Sequence, residues 1–248
     1  MTRDLLSIGM KFDRWQDAVE AAIASKKLEV IGEVRDGQLI EFTDASGAQM
    51  FILAAEPFTT FAGFKADSVH DAHVSMINDV LALCDIVNDE GYHQVSVAAN
   101  LAQGPLLVEE PTQEWQRLQL SALAVDATVY SSAAEASAAG VTPGEIRSKG
   151  AEIINSGSAD LPDASAILAV EIFGAALRTN ELTGEQFLHA VATSPFHIDV
   201  CLPAGEVPAD GSVVAGTFLL SGQIKAPAGC GGDGGCGSGG CGGGCGGH

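Results

Sequence analysis

Glu109–Val129, EEPTQEWQRLQLSALAVDATV, and Glu206–Ile224, EVPADGSVVAGTFLLSGQI, share one layout: acid, proline, a polar step, then a long run of alternating apolar and polar residues. Alternation of this length is the pattern of a half-buried strand. The shared layout raises an internal duplication of a β unit, although no residue-by-residue identity accompanies it. Around these two runs lie further strand-like segments. Leu28–Val34, Gln38–Asp44 and Ala48–Pro57 are separated by Asp36-Gly37 and Ser46-Gly47, the turn chemistry of a β-meander. His73–Asp89, Tyr92–Leu101 and Phe196–Pro203 also read as strands.

Helical signals are fewer. Phe12, Trp15, Val19 and Ile23 recur at helical spacing, which predicts a helix over Phe12–Lys27. Ser131–Val141 reads as an Ala/Ser-rich break, after which Thr142-Pro143-Gly144-Glu145 predicts the cap of a short helix running to about Ile154. Thr183-Gly184-Glu185-Gln186 predicts a second short helix, ended by Pro195. Ser165–Asn180 is apolar throughout, and periodicity does not decide between strand and buried helix. The expected fold class is α+β: a mostly antiparallel β body, an N-terminal helix, one or two short helices, and a disordered Cys/Gly-rich C-terminal tail. The expected domains are a small helix-plus-meander unit over 1–62, a larger β-rich body over 63–227, and the tail over 228–248.

Composition narrows the function classes. The 248 residues, 46% hydrophobic and 18% charged, can bury one large core or two small ones. A net charge of −20, with Lys and Arg scattered singly, opposes a phosphate backbone or an anionic leaflet, so neither nucleic acid nor membrane is an expected partner. The opening MTRDLLSIGMKFDRWQDAV lacks the apolar run of about 7–15 residues of a secretory leader. No apolar run reaches the roughly 18 residues of a membrane span. The expected compartment is the cytoplasm, and the Ala-rich, Lys-poor usage suits a bacterial source. No phosphate-cradling Gly loop, GxSxG elbow or HExxH is present, so an enzyme is not the expectation, although a site assembled from residues distant in sequence remains open.

The segment that points to a chemistry is Cys230–His248, CGGDGGCGSGGCGGGCGGH. Four of the six cysteines fall in it, and 12 of its 19 residues are glycine. Cys230, Cys236, Cys241, Cys245 and His248 offer four sulfurs and one imidazole, the donors that suit zinc or copper(I). With no apolar residue to pack around a site, the expectation is a loose, multi-metal site. In composition, though not in ligand spacing, the tail resembles metallothionein-like and metallochaperone tails. Cytosolic cysteine clusters serve metal or redox work more often than disulfide frameworks. Two readings follow. In the first, the chain is a cytosolic metal-binding protein whose body is a scaffold or docks a partner. In the second it is a structural or interaction protein whose body self-associates or docks a partner and whose tail thiols cross-link or are redox-active. A second candidate cluster is His70 and His73: on a helix they share a face and suit a metal, on a strand they do not. Cys84 and Cys201 sit in apolar runs and read as buried hydrophobes, and His93, His189 and His197 as surface or satisfied core histidines.

Overall fold

A computed structural model describes residues 3–225, so the Cys/Gly-rich tail lies outside the described residues. The described chain is mostly β-sheet with a few short helices. It opens with a four-residue helix, α1 (Arg3–Leu6), and a longer one, α2 (Trp15–Ser25). The spacing places α2 correctly but not its buried face. Ala18 and Ala22 are fully buried, whereas Ile23 is 57% exposed. Small residues let the helix approach the sheet closely, and the larger side chains flank that contact.

The meander forms as the turn chemistry dictates. β1 (Leu28–Val34), β2 (Gly37–Thr43) and β3 (Ala48–Ala54) pair antiparallel in order. A fourth strand, β4 (Thr59–Phe64), pairs with β3 and ends the sheet. No element is expected there from the sequence patterns.

The rest of the described chain is a nine-stranded sheet closed on itself twice. Its first three strands are β5 (Val69–Met76), β6 (Leu81–Val87) and β7 (His93–Leu101). The run His73–Asp89, expected as one strand, is therefore two. Asn78 breaks it, because its side-chain oxygen accepts from the N–H groups of Val80 (2.9 Å) and Leu81 (2.8 Å) and builds a turn inside an apolar stretch. A four-residue helix, α3 (Gly104–Leu107), leads into β8 (Gln113–Tyr130). The Ala/Ser-rich stretch read as a break holds a short helix, α4 (Ala133–Ala138), whose N-cap is Ser132. The helix expected from Thr142 begins later. Gly144 turns at φ 89°, β9 (Glu145–Ser148) follows as a strand, and Ser148 caps α5 (Lys149–Ser156) by accepting from Ala151 N–H.

The undecided segment Ser165–Asn180 is a strand, β10 (Ser165–Thr179). The helix expected after Thr183 is instead β11 (Gln186–Ala192), followed by β12 (Ile198–Pro203) and β13 (Ser212–Ile224). Thr183 does not cap a helix: its hydroxyl accepts from Glu185 N–H and donates to the Gly9 carbonyl, closing a tight turn. β11 then lies between β10 and β12 with nearly every residue buried, and such a strand shows no alternation.

Two closed circuits of strands result. The first runs β5, β6, β7, β13, β8 and back to β5. The second runs β10, β11, β12, β8, β13 and back to β10. They share the antiparallel β8·β13 ribbon, in which Ser121 lies opposite Ser221. At that crossing β12 runs parallel to β8, with Asp199 opposite Ser121, and β7 runs parallel to β13, with Asn100 opposite Ser221. The two segments of similar layout, now β8 and β13, thus occupy corresponding places in the two rings. One large apolar core fills both rings. A second joins α1, α2 and the four-stranded sheet to Leu123, Phe187 and Cys201 of the second ring. Among the described residues no helix is long and apolar enough to cross a membrane.

Candidate functional site

The densest buried polar chemistry lies where the four-stranded sheet meets the second ring. Asp199, on β12, is fully buried, and His189, on the adjacent β11, is 5% exposed. His189 Nε2 lies 2.6 Å from Asp199 Oδ1, and His189 Nδ1 lies 2.9 Å from Arg178 Nη2 on β10. A guanidinium only donates, so Nδ1 accepts, and Nε2 carries the proton that is given to Asp199. Asp199 Oδ2 accepts from the Ser68 hydroxyl (2.6 Å), Ser68 N–H (2.9 Å) and Asp67 N–H (3.1 Å). Burial alone pushes the Asp199 carboxyl up; the hydrogen bonds from His189 and Ser68 outweigh it and hold the group below the usual carboxylate range. Phe64 of β4 stacks on the His189 ring at 4.7 Å, and Arg178 reaches the Ser46 carbonyl at 2.9 Å.

Serine, histidine and aspartate are all present, but the order is wrong for nucleophilic catalysis. That chemistry needs the histidine between serine and aspartate, so that the imidazole takes the hydroxyl proton. Here the aspartate is in the middle and the hydroxyl points at it. Both imidazole nitrogens are occupied. The cluster is a joint: it ties the chain entering β5, the β2–β3 turn and β4 to the second ring. From sequence, His189 reads as a lone surface or satisfied core histidine. Its partners lie 10 and 11 residues away on neighbouring strands, so no local spacing marks them. The one sequence signal is Asp199 itself, an acid inside the apolar run HIDVCLP.

His70 and His73 both lie on β5, three residues apart on an extended strand, and therefore face opposite ways. His70 Nε2 donates to the His197 carbonyl at 2.5 Å and its ring meets Phe196 edge-on, while His73 Nδ1 accepts from Trp115 N–H at 3.3 Å. The structure does not bring them together. Among the described residues there is no group of three or more His, Cys, Asp or Glu side chains placed to hold a metal. Cys84 and Cys201 are both fully buried; burial pushes the Cys84 thiol up to about 12 and raises that of Cys201 as well. Cys230, Cys236, Cys241, Cys245 and His248 lie outside the described residues.

Three surface clefts differ in chemistry. One of about 560 Å³ beside β5 is polar, with His70, Asp71, Arg117 and His197 on its walls, and Arg117 lies 3.7 Å from Asp71. One of about 710 Å³ lies between the four-stranded sheet and the first ring and is rich in Gln, Glu and Lys, ending at Lys225. The third, of about 550 Å³, runs beside β4 and is mainly apolar, walled by Phe58, Phe61, Val80, Leu81 and Leu219, with Asn100 among its lining residues. Comparison with protein families, with curated proteins and with solved structures returns no match to this chain.

Proposed function

We propose that this chain is a metal-binding protein that takes up a soft ion, zinc or copper(I), on Cys230, Cys236, Cys241, Cys245 and His248, with the β body as its folded carrier. One contrast supports the reading. The body buries both of its thiols, Cys84 and Cys201, where burial raises their pKa and keeps them from acting as ligands or nucleophiles. The other four cysteines stand in a segment of glycine with no apolar side chain to bury them. At neutral pH cysteine thiols bind zinc and copper(I) as thiolates, releasing their protons, and a tetrahedral set needs four donors.

The test is elemental analysis under reducing conditions of the full chain and of a chain ending at Lys225. The expected result is about one or more equivalents of zinc or copper, confined to the full chain. Metal in neither form would sink the reading. A thiol reagent adds a second measurement: Cys84 and Cys201 are expected to react only on unfolding, and the tail thiols to react at once unless metal is bound. The second reading, an interaction protein whose tail thiols cross-link, draws on the apolar cleft beside β4. It predicts an oligomer whose size responds to reducing agent and not to chelator.

A further inference from the structure

We propose that the cleft along β4 is a docking groove for an extended peptide segment of a partner protein, apolar at alternate positions and flanked by lysine or arginine, which adds a strand to the four-stranded sheet. β4 is the end strand of that sheet. Lys65 N–H donates to the Gly47 carbonyl at 2.8 Å, which fixes the ladder phase. Thr59, Phe61 and Gly63 then bond to β3, and the N–H and C=O of Thr60 turn the other way, to the side where Thr59, Thr60 and Phe61 line the cleft. β4 is half-buried at Thr59 and Thr60 and buried from Phe61 to Phe64, so the edge it offers lies at Thr60. An accessible strand edge beside apolar side chains is the arrangement that captures extended peptides, the main chain supplying affinity and the walls reading alternate side chains.

The groove is built. Arg35 holds its far end by donating to the Glu56 carbonyl (2.6 Å) and pairing with Asp79. The Asn78 turn sets Val80 and Leu81 on the opposite wall. Gly150 lets the Pro162–Ala164 wall sit close, since a Cβ there would lie 2.0 Å from the Asp163 carbonyl. At the lip Phe58 is 72% exposed and Leu161, next to that wall, 93% exposed. These large apolar groups are what a partner would cover.

Charge and composition choose the occupant. Of the two acids in the lining, Asp79 is paired with Arg35 and Asp163 has no ion pair among the described residues. With no Lys or His on the walls and a chain of net charge −20, basic flanks are steered in and acidic ones repelled. The segment 228–248 has no apolar residue but Ala228 and its cysteines, and does not match the walls. A second copy brings the same negative charge. The proposal rests on the body alone, so the metal content of the tail leaves it unchanged.

The experiment is display of random dodecapeptides on the immobilised full chain, followed by calorimetric titration of the selected synthetic peptides into the wild-type protein, Thr60→Pro and Phe58→Ser. Thr60→Pro deletes only the outward N–H and spares the β3 ladder, the place where edge strands tolerate proline. The selected peptides are expected to alternate apolar residues between basic flanks and to lose roughly tenfold in affinity to each variant. If Thr60→Pro does not fold, Phe58→Ser, at an exposed lip, carries the test. No enrichment, acidic flanks, or equal binding to wild type and variants would overturn the proposal. So would a dimer in sedimentation that Thr60→Pro or Phe58→Ser dissolves, since the groove would then serve a second copy.

Discussion

Asp199 lies opposite Ser121 and Asn100 opposite Ser221, so each ring sets one polar side chain beside the shared β8·β13 ribbon. In the second ring the four-stranded sheet lies over that point. Phe64 covers it, and Asp199 is fully buried with a partner on each oxygen. In the first ring the corresponding point opens into the cleft beside β4, where Asn100 is half-buried. The same topological position is a joint where the four-stranded sheet covers it, and the wall of an open cleft where only the edge strand of that sheet borders it. What differs is burial, and burial decides whether a polar group is structural or available.

Removing the carboxylate at the joint therefore has the largest effect. Asp199→Ala leaves the Ser68 hydroxyl, two main-chain N–H groups and His189 Nε2–H without their acceptor in a buried place. The expected loss is about 3–5 kcal/mol, read from urea unfolding. A loss under about 1 kcal/mol would mean that water reaches the joint and that the two rings do not differ as described. Arg178→Met comes next. It keeps the side-chain stem over Phe64 but strips the donors from His189 Nδ1 and the Ser46 carbonyl, at an expected cost of about 1–3 kcal/mol. The loss should be sub-additive with that of Asp199→Ala, because both act through His189; full additivity would show that the network is not one unit.

The parts of this arrangement that were legible in the sequence are local. Asp36-Gly37 and Ser46-Gly47 announce the meander, and alternation announces β8 and β13. β11 misled because it is buried on both faces and follows a Thr-x-x-Gln signature that serves a turn. The closure of the rings was illegible: it depends on parallel pairs that join Asn100 to Ser221 and Ser121 to Asp199, contacts with no local signal. The joint was illegible for the same reason. His189 and Ser68 meet at Asp199, and Arg178 at His189, only once β10, β11 and β12 have paired and the chain entering β5 lies against them.

Acid separates the two regions by pH. His70, in the polar cleft of the first ring, has its pKa pushed down chiefly by burial, so the folded state prefers the neutral ring. The unfolded chain takes up the proton first, and stability from this group is full above the unfolded value of about 6.5 and declines as pH falls below it. Asp199 has its pKa lowered, so its contribution holds down to the unfolded value of about 3.9 and is lost only below that. Unfolding midpoints measured between neutrality and acid are expected to show two separate declines. His70→Gln should flatten the upper decline and Asp199→Asn should reduce the lower, to which Asp17, Glu135, Glu152 and Glu181, also held below the usual carboxylate range, contribute as well. If one variant removes both, the two regions titrate as one.

The smallest expected effect is the most direct check on the comparison. Asn100→Ala deletes the first ring's counterpart of Asp199. Asn100 sits half-buried in an open cleft, and truncating it exposes nothing that water does not already reach. Stability is expected to change by no more than about 0.5 kcal/mol, the range of a substitution that removes no buried partner. A cost near that of Asp199→Ala would show that the first ring needs a polar joint at this point as much as the second does. The cleft beside β4 would then be part of how the ring holds itself together, and the contrast between joint and groove would fail at its central residue.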